Sequence, residues 1–177
     1  PTQWTPDGSA IVFQSTGPNR TDTLLLPLAG PRTPQPLLHS QFNEEQAQVS
    51  PDGRWIAYAS DESGRPQVYV QDFPALKDKW LISTSGGADP QWRKDGAELF
   101  FIGADLKLTA VPLKRGATFE PGIPIPLFQA RVTGLTDVRT HYQVGADGQR
   151  FLVNTVGPAD RGSPIQVVVN WQPTLGR

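Results

Sequence analysis

Val49-Ser50-Pro51-Asp52-Gly53-Arg54-Trp55-Ile56-Ala57-Tyr58-Ala59-Ser60 is the stretch that decides the fold. An Asp-Gly pair between two apolar runs is the strongest short-range signal for a β-hairpin. Val49 stands three residues before Asp52, Ile56 four after it and Tyr58 six after it. Residues two apart in a strand share a face, so Ile56 and Tyr58 belong to one side of a sheet. The same frame recurs around Asp7-Gly8, Asp95-Gly96 and Asp147-Gly148. Trp4, Trp92 and Val144 precede these pairs, and Ile11 with Phe13, Leu99 with Phe101, and Phe151 with Val153 follow them. The four hairpins are spaced by 45, 43 and 52 residues. A period of about 40–45 residues with several strands per unit is the signature of a β-propeller.

Aligning the hairpins assigns the remaining strands. An inner strand a leads into each Asp-Gly and strand b leaves it. A third apolar run, c, falls at Thr23–Leu28, Gln67–Phe73, Lys107–Leu113 and Ile165–Trp171. A fourth, d, falls at Gln35–His39, Lys79–Thr84 and Ile125–Gln129, and the last unit has none. Helical periodicity is nowhere sustained, so an all-β chain is expected. The fold class is a partial β-propeller of about four antiparallel four-stranded blades, the last incomplete. The chain reads as a single domain with blades at 1–44, 45–87, 88–138 and 139–177. No spare d strand precedes the first a strand, and no Met starts the chain, so the expectation is the C-terminal part of a larger propeller. Leu99, Phe101, Ile56 and Tyr58 are then expected to lie deep between blades. The first and last units should each expose an apolar face, which favours association with missing upstream blades or self-association.

The 177 residues carry 16 Lys plus Arg against 17 Asp plus Glu, a formal net charge of −1. Such balance leaves no electrostatic footprint for nucleic acid. No apolar run reaches the roughly 18 residues that span a bilayer, so no membrane insertion by this chain is expected. The 17 Gly and 18 Pro fall between the apolar runs, where turns belong. Cysteine is absent, which removes disulfides and thiolate metal sites.

The repeated Asp residues read as turn formers whose carboxylates bond nearby backbone N–H groups, not as acid catalysts or calcium ligands. Asp61-Glu62-Ser63-Gly64 lacks the ligand spacing of a calcium loop and reads as a b–c connection. His39 is expected at the surface of an outer strand, and two histidines without cysteine do not make a zinc site. No G-x-S-x-G elbow occurs, so no catalytic residue, cofactor or metal is assigned. Trp4 and Trp92, at one repeat position, are expected to pack between neighbouring blades, and Trp80 to pack at the head of its strand. The candidate binding residues are Arg131, Asp137, Arg139 and His141, on the long d–a connection Arg131–His141. Loops on a rigid scaffold commonly carry binding function, and d–a connections lie at the opposite end from the Asp-Gly turns.

The run Val49–Ser60, with Gly64 and Val68-Tyr69-Val70, resembles the WD40-like repeat of TolB-type propellers. Weaker copies at Thr5-Pro6-Asp7-Gly8, Lys94-Asp95-Gly96 and Ala146-Asp147-Gly148 extend the resemblance over nearly the whole chain. Lys79-Trp80-Leu81-Ile82-Ser83-Thr84, Thr118-Phe119-Glu120-Pro121-Gly122 and Val167-Val168-Val169-Asn170-Trp171 resemble the C-terminal propeller of multidomain bacterial serine/threonine protein kinases. That resemblance implies a non-enzymatic binding or sensing domain on the extracytoplasmic side of a membrane. The chain itself has no phosphate loop, H-R-D or D-F-G motif. Two alternatives stand beside it: an accessory domain of a serine peptidase, and a stand-alone periplasmic TolB-like scaffold.

Overall fold

A computed structural model describes residues 1–114, 116, 118–135, 140–155 and 166–168. Among them every regular element is a strand, and the strands form four separate antiparallel sheets in strict meander order. Blade 1 contains β1 (Gln3–Trp4), β2 (Ala10–Thr16), β3 (Thr21–Pro27) and β4 (Gln35–Leu38). Blade 2 contains β5 (Glu44–Val49), β6 (Trp55–Ser60), β7 (Gln67–Asp72) and β8 (Lys79–Leu81). Blade 3 contains β9 (Gly87–Trp92), β10 (Glu98–Gly103), β11 (Lys107–Pro112) and β12 (Ile125–Gln129). Blade 4 is described as β13 (Tyr142–Val144), β14 (Phe151–Val153) and β15 (Gln166–Val168). The sequence placed a longer outer strand in blade 2. Regular pairing instead ends at Leu81, and the Ser83 hydroxyl takes over by accepting the Val68 N–H at 2.9 Å.

The four Asp-Gly turns share one geometry. Gly8, Gly53, Gly96 and Gly148 donate to the carbonyls of Thr5, Ser50, Arg93 and Gly145 at 2.8–2.9 Å. Each Gly lies at φ 70° or 71°, the left-handed region that side chains with a Cβ resist. Each Asp Oδ1 accepts the N–H two residues on, from Ser9, Arg54, Ala97 and Gln149, at 3.0–3.2 Å. The Thr5 hydroxyl, then the Ser9 amide and hydroxyl, hold Asp7 below the usual carboxylate range. The Gln149 amide does so for Asp147. At Asp52 partial burial pushes the other way, but the Ser50 hydroxyl and Arg54 outweigh it. A lowered folded-state pKa contributes stability above the unfolded value of about 3.9, lost as pH falls through the folded value. Urea midpoints followed by tryptophan fluorescence should therefore drop from about pH 4 to pH 2, and the combined variant Asp7→Asn, Asp52→Asn, Asp147→Asn should flatten that drop. An unchanged slope in that variant would remove the turns from the acid response.

The core lies between blades, in three clusters with one design. Val12 of blade 1 packs with Ile56 and Tyr58 of blade 2. Ala57 of blade 2 packs with Leu99 and Phe101 of blade 3. Phe100 of blade 3 packs with Phe151 and Val153 of blade 4. The residue five after each Asp thus faces the next blade, while those four and six after face the preceding one. Trp80 stacks edge-on against Trp55 at 5.5 Å and lies 5.1 Å from Phe119, so it is part of the blade 2–blade 3 packing. Trp92 belongs to the same cluster. Trp4 departs from the sequence expectation: it is 60% exposed, because no described blade covers the face of blade 1 on which it stands.

Candidate binding groove along the inner strands

Two polar positions recur on the inner strands, one six residues before Asp52, Asp95 and Asp147, the other four residues before all four Asp. At the first, Gln46 and Asp89 have left-handed backbones, with φ 56° and 57°. The pairing register shifts beside both, between Glu45 and Gln48 and between Phe100 and Ile102. Such a bulge re-aims a side chain out of the strand's alternation. The result is a chain of bonds from blade to blade. Gln46 Oε1 accepts the Asp89 N–H at 2.7 Å, and Asp89 Oδ2 accepts the His141 N–H at 2.6 Å. The Tyr142 hydroxyl donates to the Asp89 carbonyl at 3.0 Å.

The second position is glutamine in all four blades: Gln3, Gln48, Gln91 and Gln143. Gln3 clamps the backbone of Val49 with both ends of its amide, Nε2 to the carbonyl at 3.0 Å and Oε1 from the N–H at 2.5 Å. Gln91 repeats the clamp two junctions on, donating to the Tyr142 carbonyl and accepting the Val144 N–H at 3.4 Å. Between them, the Trp92 indole donates to the Gln48 carbonyl at 2.9 Å. These bonds satisfy inner-strand groups that would otherwise be buried without partners.

Asp89 and His141 are 2% and 6% exposed, and Nδ1 of the imidazole is 3.5 Å from Asp89 Oδ2. Burial raises Asp89 above the usual carboxylate range, against the opposing pull of the bonds and charge of His141. Burial, then the Asp89 charge, pushes the Tyr142 phenol up.

The four inner strands border one open groove of about 680 Å³. Gln48, Gln143 and Thr140 line it, with Pro6, Pro51 and Lys94 at the Asp-Gly end. Lys94 is exposed there. The groove offers amide donors and acceptors on its wall and an ammonium at its rim, which suits a polar chain carrying a carboxylate.

Of the residues singled out from the sequence, Arg131 is exposed with φ 49°. His141 is not on an open loop surface but in the blade 3–blade 4 junction, beside Asp89. Asp137 and Arg139 lie outside the described residues. Leu135, on the same connection, packs on the blade 3–blade 4 core and lines a cavity of about 140 Å³ with Asn43 and Asp61 of blade 2. His39 is exposed as expected, between Arg20 at 3.0 Å and Asp22 at 3.2 Å. No cluster of three or more His, Cys, Asp or Glu occurs among the described residues. The polar recurrences at the inner strands escaped the sequence reading, which followed only the apolar positions of the repeat. The identity of Gln3, Gln48, Gln91 and Gln143 at one offset from Asp-Gly was the available signal.

No protein family and no curated protein matches the chain. Solved structures do. TolB from Acinetobacter baumannii is similar with a TM-score of 0.67 at 19% identity, over 94% of this chain and 40% of that one. A puromycin-hydrolyzing peptidase of Mycobacterium tuberculosis is similar with a TM-score of 0.63 at 18% identity, over 85% of this chain and 27% of that one. The β-propeller domain of Cps50 (Swd1) from Myceliophteria thermophila gives 0.55 at 12% identity, over 82% and 48%. The chain spans less than half the length of each, and the likeness establishes the propeller fold.

Proposed function

We propose that the chain is a non-enzymatic binding module that holds an extended polar ligand, such as an acidic peptide segment, in the groove along its inner strands. One observation carries this reading. All four blades contribute to the groove through equivalent glutamines: Gln3, Gln48, Gln91 and Gln143 all line it, and Gln3 and Gln91 in addition tie neighbouring blades together. Amides facing a groove can pair with peptide N–H and C=O groups, and Lys94 supplies a cation for a carboxylate. The connection Arg131–His141 flanks this site through Thr140 and places Arg131 at the d–a end.

The sequence resemblance supports a parent that is a bacterial serine/threonine kinase with its propeller on the extracytoplasmic side. The alternative of a peptidase accessory domain draws support from the similarity to the puromycin-hydrolyzing peptidase. A stand-alone TolB-like scaffold is the third arrangement of the same binding module.

The test is to pan a displayed library of linear peptides on the chain and measure the enriched peptides by calorimetry. Acidic peptides should be enriched, and Lys94→Glu should weaken them at least tenfold, about 1.4 kcal/mol. Gln143→Ala should weaken them less. Enriched peptides whose affinity ignores both substitutions would move recognition out of the groove.

A further inference from the structure

Blades 2 and 3 pair the same positions across their strands, but one ring present in blade 2 has no counterpart in blade 3. In β6 and β7 Tyr58 stands opposite Tyr69, and in β10 and β11 Phe101 stands opposite Thr109. Both rows continue to the outer strand, at Leu81 in blade 2 and Pro126 in blade 3. Tyr58 and Phe101 each lie six residues after the Asp of their turn and face the preceding blade. In the blade 1–blade 2 junction the Tyr69 ring is buried and stacks on Tyr58 at 5.9 Å. In the blade 2–blade 3 junction Thr109 holds that place, and a cleft of about 560 Å³ opens above it. Phe101, Asp105, Thr109 and Pro126 of blade 3 line the cleft, with Thr84 and Ser85 from blade 2. All four strands of both blades are described, and neither end of the chain borders the cleft.

What the Tyr69 ring meets in blade 2 is retained in blade 3. The floor is aromatic in both, and Phe101 lies so close to Gly87 that a side chain there would stand 2.8 Å from the ring. Four residues beyond the floor ring comes an acid on the b–c connection, Glu62 in blade 2 and Asp105 in blade 3. Burial raises the Tyr69 phenol above its ordinary range, the Ser63 hydroxyl pulls it down, and the charge of Glu62 and a hydrogen bond with it push it up again. A bond that raises a phenol is one its neutral O–H donates, so Tyr69 donates to the Glu62 carboxylate. Each acid is also paired with a lysine, Glu62 with Lys79 and Asp105 with Lys107 at 3.0 Å. Asp105 further accepts the Lys107 N–H at 3.1 Å and stays 55% exposed, so its two oxygens keep room for another donor. The buried Thr109 hydroxyl reaches only the Lys107 carbonyl, at 3.5 Å.

We infer that this cleft binds a tyrosyl side chain of a partner polypeptide, its ring laid on Phe101 and its hydroxyl donating to Asp105, as Tyr69 lies in the junction before. The ring does not come from a second copy of the chain: Tyr58, Tyr69 and Tyr142 are its only tyrosines, and all three are buried. The cleft is larger than one phenol ring, and Thr84 and Ser85 offer hydroxyls to the peptide groups that flank it. Pro124 and Pro126, also on its wall, carry no N–H, which disfavours strand addition at this edge and leaves recognition to a side chain. Tyrosine is a frequent anchor in such pockets. The inference rests on the packing of blades 2 and 3 and is independent of what the groove binds.

Titrating the ¹⁵N-labelled chain with N-acetyl-L-tyrosinamide and following its amide resonances tests the inference. Shifts should centre on Gly86, Gly103 and Thr109, with a dissociation constant on the order of 1 mM for a single residue. N-acetyl-L-phenylalaninamide, which lacks the hydroxyl, should bind about tenfold more weakly. Asp105→Ala, at an exposed position, should bring the tyrosine ligand to the level of the phenylalanine one and leave the latter unchanged. Thr109→Tyr, which supplies the ring that blade 2 carries, should abolish binding and raise the thermal unfolding midpoint. Thr109 is buried, so if that variant fails to fold the Asp105→Ala comparison decides. Absent shifts, or shifts centred on the inner-strand groove, overturn the inference. Equal binding of the two amides, or tyrosinamide binding that ignores Asp105→Ala, overturns it as well. So does p-cresol binding as tightly as the tyrosinamide, since the cleft then takes a free phenol and not a residue of a polypeptide.

Discussion

Replacing Phe100 with Ala is expected to cost about 3–5 kcal/mol of folding stability. Phe100 is fully buried and joins blade 3 to blade 4, with its ring edge-on to Phe151 at 5.1 Å. The ring of Phe128 lies 5.6 Å from the same Phe151, so the cavity left behind is walled by rigid aromatics on paired strands that collapse poorly. Leu152→Ala is the matched control, because Leu152 holds the same repeat position but stands at the open end. Its cost should stay within about 0.5 kcal/mol, as for other surface positions. Urea titrations of the two variants measure the contrast, run at a concentration where each is monomeric. Equal losses would show that repeat position, not the presence of a neighbouring blade, sets the energy.

Asp89→Ala is expected to cost about 1–3 kcal/mol, since it removes a buried acceptor and strands the His141 N–H. Asp89→Asn keeps an oxygen for that N–H and should cost well under half as much. The two variants also differ from the parent in their pH response. Burial raises the Asp89 pKa, partly offset by His141, so its contribution to stability is fully present below the unfolded value of about 3.9. It is lost as pH rises through the folded value. The deficit of Asp89→Asn relative to the parent should therefore narrow as pH rises above about 4, read as converging urea midpoints. A deficit that widens over that range would mean that the charged carboxylate stabilises the junction.

Much of the fold was legible because it is local. Asp-Gly with its flanking alternation needs only a dozen residues to specify a hairpin, and the four copies reproduce one turn geometry to within a degree of φ at Gly. The same alternation marked Ile56, Tyr58, Leu99 and Phe101 as buried, and they are. The groove was less legible, because its defining bonds join residues 43 to 53 positions apart: Gln46 to Asp89, Gln3 to Val49, Asp89 to His141 and Gln91 to Val144. No local pattern distinguishes a glutamine that clamps a neighbouring strand from one that meets solvent.

Trp4 and Trp92 mark the boundary between the two kinds of information. Sequence by itself determined that both occupy one repeat position and stand on the same face of their blades, because alternation along a strand is set by backbone geometry within a few residues. Only the tertiary structure decided that Trp92 is packed and Trp4 is 60% exposed. Burial is a property of the pair of surfaces that meet, and the second surface lies one whole blade away in the chain. The same reason separates Phe100 from Leu152, and Gln91 from Gln143.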